Sequence, residues 1–327
     1  MKNATLRQLK VFETAARHLS YSRAAEELHL TQPAVSTQIK LLQQHAGALL
    51  FEQLGKKVYL TPAGTEMLHY SRAIIELFRQ AGEAMAARQG VSGGTLNVAV
   101  ISAGDYFFPQ LLVEFSRDAP GVKLNLGVFN REQLLQQLTD NLTDLAVMVR
   151  PPREIDTVAE PFAPHPYVIV ARPDHPLASR RRIAMPQLLR ERFITRERGS
   201  DTWNSMEDGF GAHLPKLQVA MEIRSTETIK QAVIAGMGVS FLSAHTVARE
   251  LATGQLAVLD VAGFPVMLKW YVVHLRQKVL APVAVAFKAF LLQRGAELID
   301  QVTGRPIAPR QSRRAAERQS HHSTRHR

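Results

Sequence analysis

The side chains best suited to recognising another molecule lie along one face of a short helical segment near the N-terminus. Gln32, Ser36 and Lys40 recur every four residues, and Pro33 and Thr37 stand beside them. A glutamine can bind adenine through two hydrogen bonds, small hydroxyls bind base edges or phosphates, and an apolar ring can contact the thymine methyl. This face therefore predicts a helix that reads double-stranded DNA in the major groove.

The other face of this segment is apolar, as docking on a second helix requires. Val35, Ile39 and Leu42 repeat at helical spacing, and the preceding helical segment carries the small residues Ala24 and Ala25, which allow close approach. A turn of about four residues separates the two segments, as in a helix-turn-helix. A helical hairpin with a solvated polar face is the alternative interpretation.

A second DNA-contacting element is predicted after the helices. Apolar residues lead into Gly55-Lys56-Lys57, and Val58 and Leu60 then alternate with polar positions, which is typical of a two-stranded wing. Lysines at its tip suit phosphates or the minor groove. The DNA-contacting set predicted from both elements is Arg23, Thr31, Gln32, Pro33, Ser36, Thr37, Lys40, Lys56 and Lys57.

One uninterrupted helical pattern over residues 63–90 follows the predicted DNA-binding domain, residues 1–62. Its small and apolar positions alternate at spacings of four and three, which is typical of a coiled-coil seam and predicts a dimer. Packing of this helix on its own domain is the alternative. The predicted seam residues are Met67, Ser71, Ile74, Phe78, Ala81 and Met85.

Strand-like runs alternate with helical patterns over residues 91–304. The order strand, helix, strand, helix, strand at 94–149, with its first helix at 105–117, predicts a parallel sheet, and a second such run begins near Tyr167. We therefore predict a two-lobed α/β effector-binding domain with a cleft beyond the strand ends.

Polar residues end several of these predicted strands. Ser200, Asp201 and Thr202 open a helix, and the free N–H groups of a helix start favour a carboxylate or phosphate. Arginines can clamp the same anion. The serines could equally be plain helix caps and the arginines plain surface residues. The predicted effector-binding set is Ser102, Asn130, Arg131, Arg150, Arg196, Ser200, Asp201 and Thr202.

Ordered motifs in the first sixty residues closely resemble the LysR-type transcriptional regulators: Leu6-Arg7-Gln8-Leu9, Ser22-Arg23-Ala24-Ala25-Glu26-Glu27-Leu28, Thr31-Gln32-Pro33-Ala34-Val35-Ser36 and Leu60-Thr61-Pro62-Ala63-Gly64. More narrowly, five segments are similar to the regulators of Calvin-cycle (RuBisCO) operons in autotrophic bacteria. They are His18-Leu19-Ser20-Tyr21, residues 51–57, Asn130-Arg131-Glu132, Arg150-Pro151-Pro152 and residues 161–166. The resemblance extends to about residue 300.

The resemblance implies a winged helix-turn-helix head on a linker helix, followed by lobes like those of type-2 periplasmic binding proteins. It also implies that the last strand and helix return to the first lobe, so that lobe I is residues 91–161 and 266–304 and lobe II is residues 162–265. It implies an effector-responsive activator of carbon-fixation genes that binds promoter DNA as a homodimer or homotetramer and meets RNA polymerase. A LysR-type regulator of another metabolic operon is the alternative. The implied effector is a small anionic metabolite such as a phosphorylated sugar, phosphoenolpyruvate or NADPH, with no required cofactor.

One loop departs from the pattern of the family. Relatives often read Arg-Glu-Pro-Gly-Ser-Gly-Thr-Arg where this chain has Arg196 to Trp203. Here Asp201 adds a negative charge where an anion would bind, and Trp203 replaces a basic residue. This departure argues against a strongly phosphorylated effector.

Composition narrows the function classes. The 327 residues include no cysteine, which excludes disulfides and cysteine-based chemistry. No Ser-His-Asp set or metal-spaced histidine cluster stands out, and His165 and His175 lie in segments predicted as Pro-flanked loops. We therefore predict no catalytic site, no metal site and no enzyme, while a solute-binding or enzymatic protein on the same lobes is the alternative of a different class.

Charge and hydropathy bear on partners and location. The net charge is +11, and residues 305–327, with seven arginines and one glutamate, supply much of it and are predicted to be a disordered basic tail. The chain shows neither a signal peptide nor an apolar run long enough to span a bilayer. We therefore predict a cytoplasmic protein with no membrane partner.

Overall fold

A computed structural model describes residues 1, 3–55, 57–88 and 93–304 of the chain. The predictions for Lys56 and for the tail at 305–327 lie outside these residues. Within the described part, no helix is both long and apolar enough to cross a membrane.

The N-terminal head consists of three helices and a two-stranded wing. Thr5, Ser20 and Thr31 each precede a helix, and their hydroxyls accept hydrogen bonds from backbone N–H groups of the first turns. Ala24 and Ala25 are buried between helices, so the predicted close approach is confirmed. The elements are α1 (Leu6–His18), α2 (Tyr21–Glu27), α3 (Gln32–Ala46), β1 (Phe51–Leu54) and β2 (Lys57–Leu60).

A single long helix, α4 (Pro62–Arg88), follows the wing. Its first half packs on the head, where Met67, Leu68 and Ile75 contact the head core. Ser71 lies on this same side and is fully buried, so the predicted dimer seam is wrong at both Met67 and Ser71. The helical repeat puts Ser71 between Leu68 and Ile75 and therefore turns it towards its own chain.

The other side of α4 is an apolar surface that no residue described by the structure covers. We call it the α4 stripe, and it shares the helical spacing of a helix–helix interface. Ile74, Phe78, Ala81 and Met85 of the predicted seam belong to it, and Tyr70 and Leu77 join them. Phe78 is 66% exposed, which is costly for a phenyl ring in water.

The rest of the chain forms a mixed α/β domain. In chain order its elements are β3 (Gly94–Ile101), α5 (Phe108–Asp118), β4 (Val122–Phe129), α6 (Arg131–Thr139), β5 (Leu145–Met148), β6 (Thr157–Ala171), α7 (Met185–Leu188), β7 (Arg192–Thr195), α8 (Asp201–Phe210), β8 (Gln218–Glu222), α9 (Thr226–Ile234), β9 (Ser240–Ser243), α10 (Ala248–Ala252), β10 (Ala257–Val258), β11 (Val266–Leu275) and α11 (Pro282–Thr303). Short 3-10 turns occupy Ser102–Gly104 and Gly211–Lys216. The predicted helix at 105–117 begins later, at Phe108, because Pro109 fits only a first turn.

The strands form one seven-stranded sheet that runs through both lobes, in the order β10-β6-β11-β5-β3-β4 with β9 beside β6. Strand β3 pairs in parallel with β4 and β5, while β11 is antiparallel to β5 and β6. The smaller β7-β8 sheet is parallel. The register of β6 and β11 shifts between Trp270 and Tyr271, opposite the predicted lobe boundary.

Strand β6 begins ten residues before the predicted start at Tyr167 and includes three prolines. Prolines disfavour strands because they lack a backbone donor, but they are tolerated where a strand pairs on one side only. Residues 157–166 pair, within the described chain, with β11 alone. His165 consequently lies inside a strand, fully buried, and not in a loop.

Each lobe has a core of its own. The core of lobe I includes β3, β5, α5 and α11, with Phe287 of α11 packed edge-on against Phe108 and Phe115. Helix α11 thus returns to lobe I, as the resemblance implies. Lobe II has two cores, one around Phe193 and Phe241 and one around Val168 and Ile229.

Charged side chains join α4 to its two neighbours. Arg72 of α4 lies 3.6 Å from Glu13 of α1 (Nε to Oε1) and 2.6 Å from Asp140, the residue after α6 (Nη1 to Oδ2). Further along α4, Glu76 lies 3.9 Å from Lys278 of lobe I (Oε1 to Nζ), and the Lys278 ammonium also pairs with the buried carboxylate of Asp144. The head and lobe I are therefore both attached to the same helix.

We expect the α4 stripe to hold two copies of the chain together. Replacing both Ile74 and Phe78 with aspartate places charges in an apolar interface and should convert the assembly to smaller species in analytical ultracentrifugation. DNA affinity should fall with it, because each half-site contact is weak alone. Val279→Asp changes an equally exposed valine away from α4 and serves as the control. A double variant that stays fully assembled would place the interface elsewhere.

Candidate functional site

The predicted reading face lies on the outer side of α3. Gln32, Pro33, Thr37 and Lys40 are exposed, and Ser36 is half-buried. Val35, Ile39 and Leu42 are fully buried in the head core on the opposite side of the helix. The polar face is therefore free to enter a groove while the apolar face fixes its orientation.

Two hydroxyls of the predicted set are already engaged by the helix itself. The Thr31 hydroxyl accepts from the backbone N–H of Ala34 at 3.3 Å, which caps α3. The Thr37 hydroxyl donates to the carbonyl oxygen of Pro33 at 2.9 Å. Gln32 and Lys40 therefore carry more of the free hydrogen-bonding capacity of this face than the two threonines.

Gln43, which the helical spacing places on the outward face, serves the structure of the head. Its amide oxygen accepts from the backbone N–H groups of Leu50 at 2.8 Å and Phe51 at 3.3 Å. This contact ties the end of α3 to the start of the wing. Because the partners are seven and eight residues further along the chain and outside the helix, helical spacing alone gives no sign of this contact.

The wing is the predicted antiparallel hairpin. Phe51 pairs with Leu60 and Leu54 with Lys57, and Gly55 turns the chain with a positive φ of 64°. That backbone conformation favours glycine, which lacks a Cβ. Lys57 is exposed at the start of β2, so its ammonium is free to meet phosphate.

A small cavity lies where the two lobes meet. Ile101, Ala103, Phe129 and Tyr167 form part of its wall. The rest of the wall consists of seven of the eight predicted effector-binding residues: Ser102, Asn130, Arg131, Arg196, Ser200, Asp201 and Thr202. Its volume is about 20 Å³, which is room for roughly one water molecule. The lobes are thus closed on the cavity, and a metabolite requires them to separate.

An ion pair crosses this cavity from lobe to lobe. Arg131, the first residue of α6, donates through Nη1 to Asp201 Oδ1 at 3.1 Å and to the carbonyl oxygen of Arg150 at 2.7 Å. Asp201 is the first residue of α8 and is 7% exposed. Burial raises the pKa of Asp201, while the charge and hydrogen bond of Arg131 oppose that rise.

Arg150 is the one predicted residue that is not part of the cavity wall. Its guanidinium donates to the Asp208 carboxylate and to the carbonyl oxygen of Asn204 at 3.0 Å. Both acceptors belong to α8, so Arg150 links lobe I to lobe II beside the cavity. A role for Arg150 in effector binding stays a prediction.

Two predicted side chains also have structural duties. The Ser200 hydroxyl accepts from the Trp203 backbone N–H at 3.1 Å and donates to the Glu197 carbonyl oxygen at 2.8 Å, as a helix cap does. Arg196 donates to Thr226 Oγ1 at 2.9 Å and to the carboxylate of Glu197. Ser102 differs, because its hydroxyl makes no hydrogen bond to any residue the structure describes.

Tyr167 is a cavity residue that the sequence did not single out. It is fully buried, and burial raises its pKa, while the neighbouring hydroxyls of Thr202 and Ser205 oppose that rise. The Oδ2 atom of Asp201 is buried and has no hydrogen-bond partner among the described residues. Unpaired buried polar atoms are costly, so the wall of this cavity is suited to a ligand or water that binds them.

Both parts of the chain match known protein families. Residues 6–65 match the bacterial regulatory helix-turn-helix protein model of the lysR family, and residues 89–296 match the LysR substrate binding domain. The chain belongs to the LysR family of transcriptional regulators. The expected fold class is confirmed, and the protein is a DNA-binding transcriptional regulator with an effector-binding domain.

Individual members of this family are also similar to the chain. The RuBisCO operon transcriptional regulator of Allochromatium vinosum is 47% identical over 90% of this chain and 98% of that protein. The regulator CbbR of Rhodospirillum rubrum is 48% identical over 88% of this chain and 95% of that protein. Among solved structures, the regulatory domain of Synechocystis PCC6803 CcmR in complex with 2-PG is 40% identical, with a TM-score of 0.58 over 61% of this chain and 96% of that chain.

The reading face of α3 generates a prediction about specificity. Gln32→Ala and Ser36→Ala should each weaken binding to the cognate site by about 1–3 kcal/mol, because each removes a contact to a base edge. Binding to random DNA should hardly change in the same fluorescence-anisotropy titration.

Gln43→Ala is the contrasting variant on the same helix. It loosens the junction between α3 and the wing, so it should weaken binding to both DNAs to a similar extent. An equal loss on both DNAs for Gln32→Ala and Ser36→Ala would show that those residues do not read bases.

Proposed function

We propose that this LysR-type regulator controls carbon-fixation genes of the RuBisCO operon in response to a small anionic metabolite bound between its lobes. The identities of 47% and 48% to regulators named for that operon or as CbbR support the target. In this proposal the head at residues 1–62 binds DNA and the linker helix at 63–90 joins two copies of the chain. The sensing domain at 91–304 binds the metabolite. Because such a regulator acts on chromosomal DNA, we place it in the cytoplasm and expect it to contact RNA polymerase. We further propose that it binds as a dimer or tetramer and catalyses no reaction.

The observation that carries this proposal is the position of α6. Its first residue, Arg131, lies in the cavity wall, and the residue after its last turn, Asp140, pairs with Arg72 of α4. Nine helical residues span about 13 Å as a rigid rod. Arg72 also contacts Glu13 in the head. A ligand that moves Arg131 would thereby move the attachment of the DNA-binding head.

The chemistry of the cavity favours an anion with a hydroxyl or second oxygen. Arg131 supplies a cationic donor, and Ser102, Thr202 and Tyr167 supply hydroxyls on the surrounding wall. CcmR was solved with 2-PG, which is 2-phosphoglycolate, a small anion of this kind. We infer that the effector of this chain is of the same class.

Footprinting on DNA upstream of a RuBisCO operon tests the function directly. With 2-phosphoglycolate or a related small acid added, the protected region should shorten or shift while the protein stays bound, because a ligand changes only the balance of two bound states. Ser102→Ala with Thr202→Ala should remove that response and leave effector-free binding intact. A lack of protection upstream of these genes would exclude this target.

The role of α6 can be separated from effector binding. Asp140→Asn removes the charge that pairs with Arg72 and should abolish the effector-dependent footprint change, while calorimetry should show effector affinity within about twofold of wild type. Asp118→Asn, which changes an exposed carboxylate of the same lobe, is the control and should respond normally. A full response in Asp140→Asn would exclude this route.

A further inference from the structure

The cavity between the lobes already contains an anion that belongs to the chain itself. The Asp201 carboxylate faces Arg131 directly, and the charges of Arg150 and Arg196 also act on it. Arg131 and Arg150 come from lobe I and Arg196 from lobe II. Three cations around one buried carboxylate form the environment in which an acidic ligand would bind.

The hydrogen bonding of Asp201 is incomplete. Its Oδ1 accepts from Arg131, whereas its Oδ2 is buried and has no hydrogen-bond partner among the described residues. A salt bridge that served only to hold two lobes together would gain stability by pairing both carboxylate oxygens. This unpaired oxygen indicates a place where a ligand exchanges with a side chain.

We propose that Asp201 is a tethered substitute for the acidic group of the effector: it pairs with Arg131 in the effector-free protein and is displaced when the effector's own anion takes that arginine. This inference rests on the proposed effector site. It makes Asp201 a specificity-determining residue, because an acid binds only by outcompeting a carboxylate already in place. Displacement also breaks a link between the lobes and leaves that of Arg150 to α8 in place.

A matched control lies on the same helix. Asp208 of α8 pairs with Arg150, so it too contributes a carboxylate to an ion pair between the lobes. Its side chain is 59% exposed, and it is not part of the cavity wall. Neutralising Asp208 therefore weakens the contact between the lobes but leaves the Asp201 carboxylate paired with Arg131.

The test measures binding of two anions, 2-phosphoglycolate and sulfate, to the full-length protein by titration calorimetry. Asp201→Asn keeps the side-chain size, removes the competing charge, and should lower the Kd of both anions about tenfold or more. Asp208→Asn should leave both Kd values within about twofold of wild type. If Asp201→Asn does not fold, Asp201→Ser carries the same expectation.

An unchanged or higher Kd in Asp201→Asn overturns the inference, since Asp201 would then be neutral towards the ligand or would bind it. An equal gain in Asp208→Asn also overturns it, because looser lobes would explain the effect. Arg131→Ala separates the two levels of the proposal. It should abolish binding in every background, and if it does not, or if no variant binds either anion, the effector site itself is wrongly placed.

Discussion

A single guanidinium, that of Arg72, contacts carboxylates from both other parts of the chain. It lies on the linker helix, 3.6 Å from Glu13 of the head and 2.6 Å from Asp140 of lobe I. Removing one partner from a largely buried ion pair is destabilising, because it leaves an uncompensated charge. The head and lobe I are therefore both held to the same guanidinium, and this is the contact through which the proposed function couples Asp140 to the surface that positions α3.

The two lobes, by contrast, are built to move relative to one another. Their apolar cores are distinct clusters that share Leu268 at their border, and β6 and β11 cross between them with a register shift at Trp270 and Tyr271. The contacts that close the cavity are polar ones, from Arg131 and Arg150 to α8. Polar contacts can exchange partners with water or a ligand, whereas opening a shared apolar core would require closely packed side chains to separate. Coupling of about 1–3 kcal/mol is within reach of such exchanges.

The sequence predicts best what depends on near neighbours. The capping hydroxyl of Thr31, the hairpin at Gly55 and the strand-end position of Ser102 all follow from local rules, and the structure shows each of them. What it does not predict depends on distant partners. Gln43 turns to the wing, and Arg150 turns to α8, because acceptors or donors elsewhere in the chain compete for them. The return of the last strand and helix to lobe I came from the family resemblance, because no local spacing indicates it.

The position of Asp201 follows from a local sequence rule, but its surroundings do not. Sequence alone placed it at a helix start beside the other cavity residues, and a carboxylate there is favourable for the helix dipole. Yet burial raises the pKa of Asp201, and one of its oxygens has no hydrogen-bond partner among the residues that the structure describes, so the position is not optimised for stability. Asp201 stabilises the start of its own helix but leaves a buried carboxylate oxygen without a hydrogen bond. This combination is characteristic of a site that stores free energy for an exchange of binding partners. In this chain the exchange lies at one end of α6, and the attachment of the DNA-binding head lies at the other.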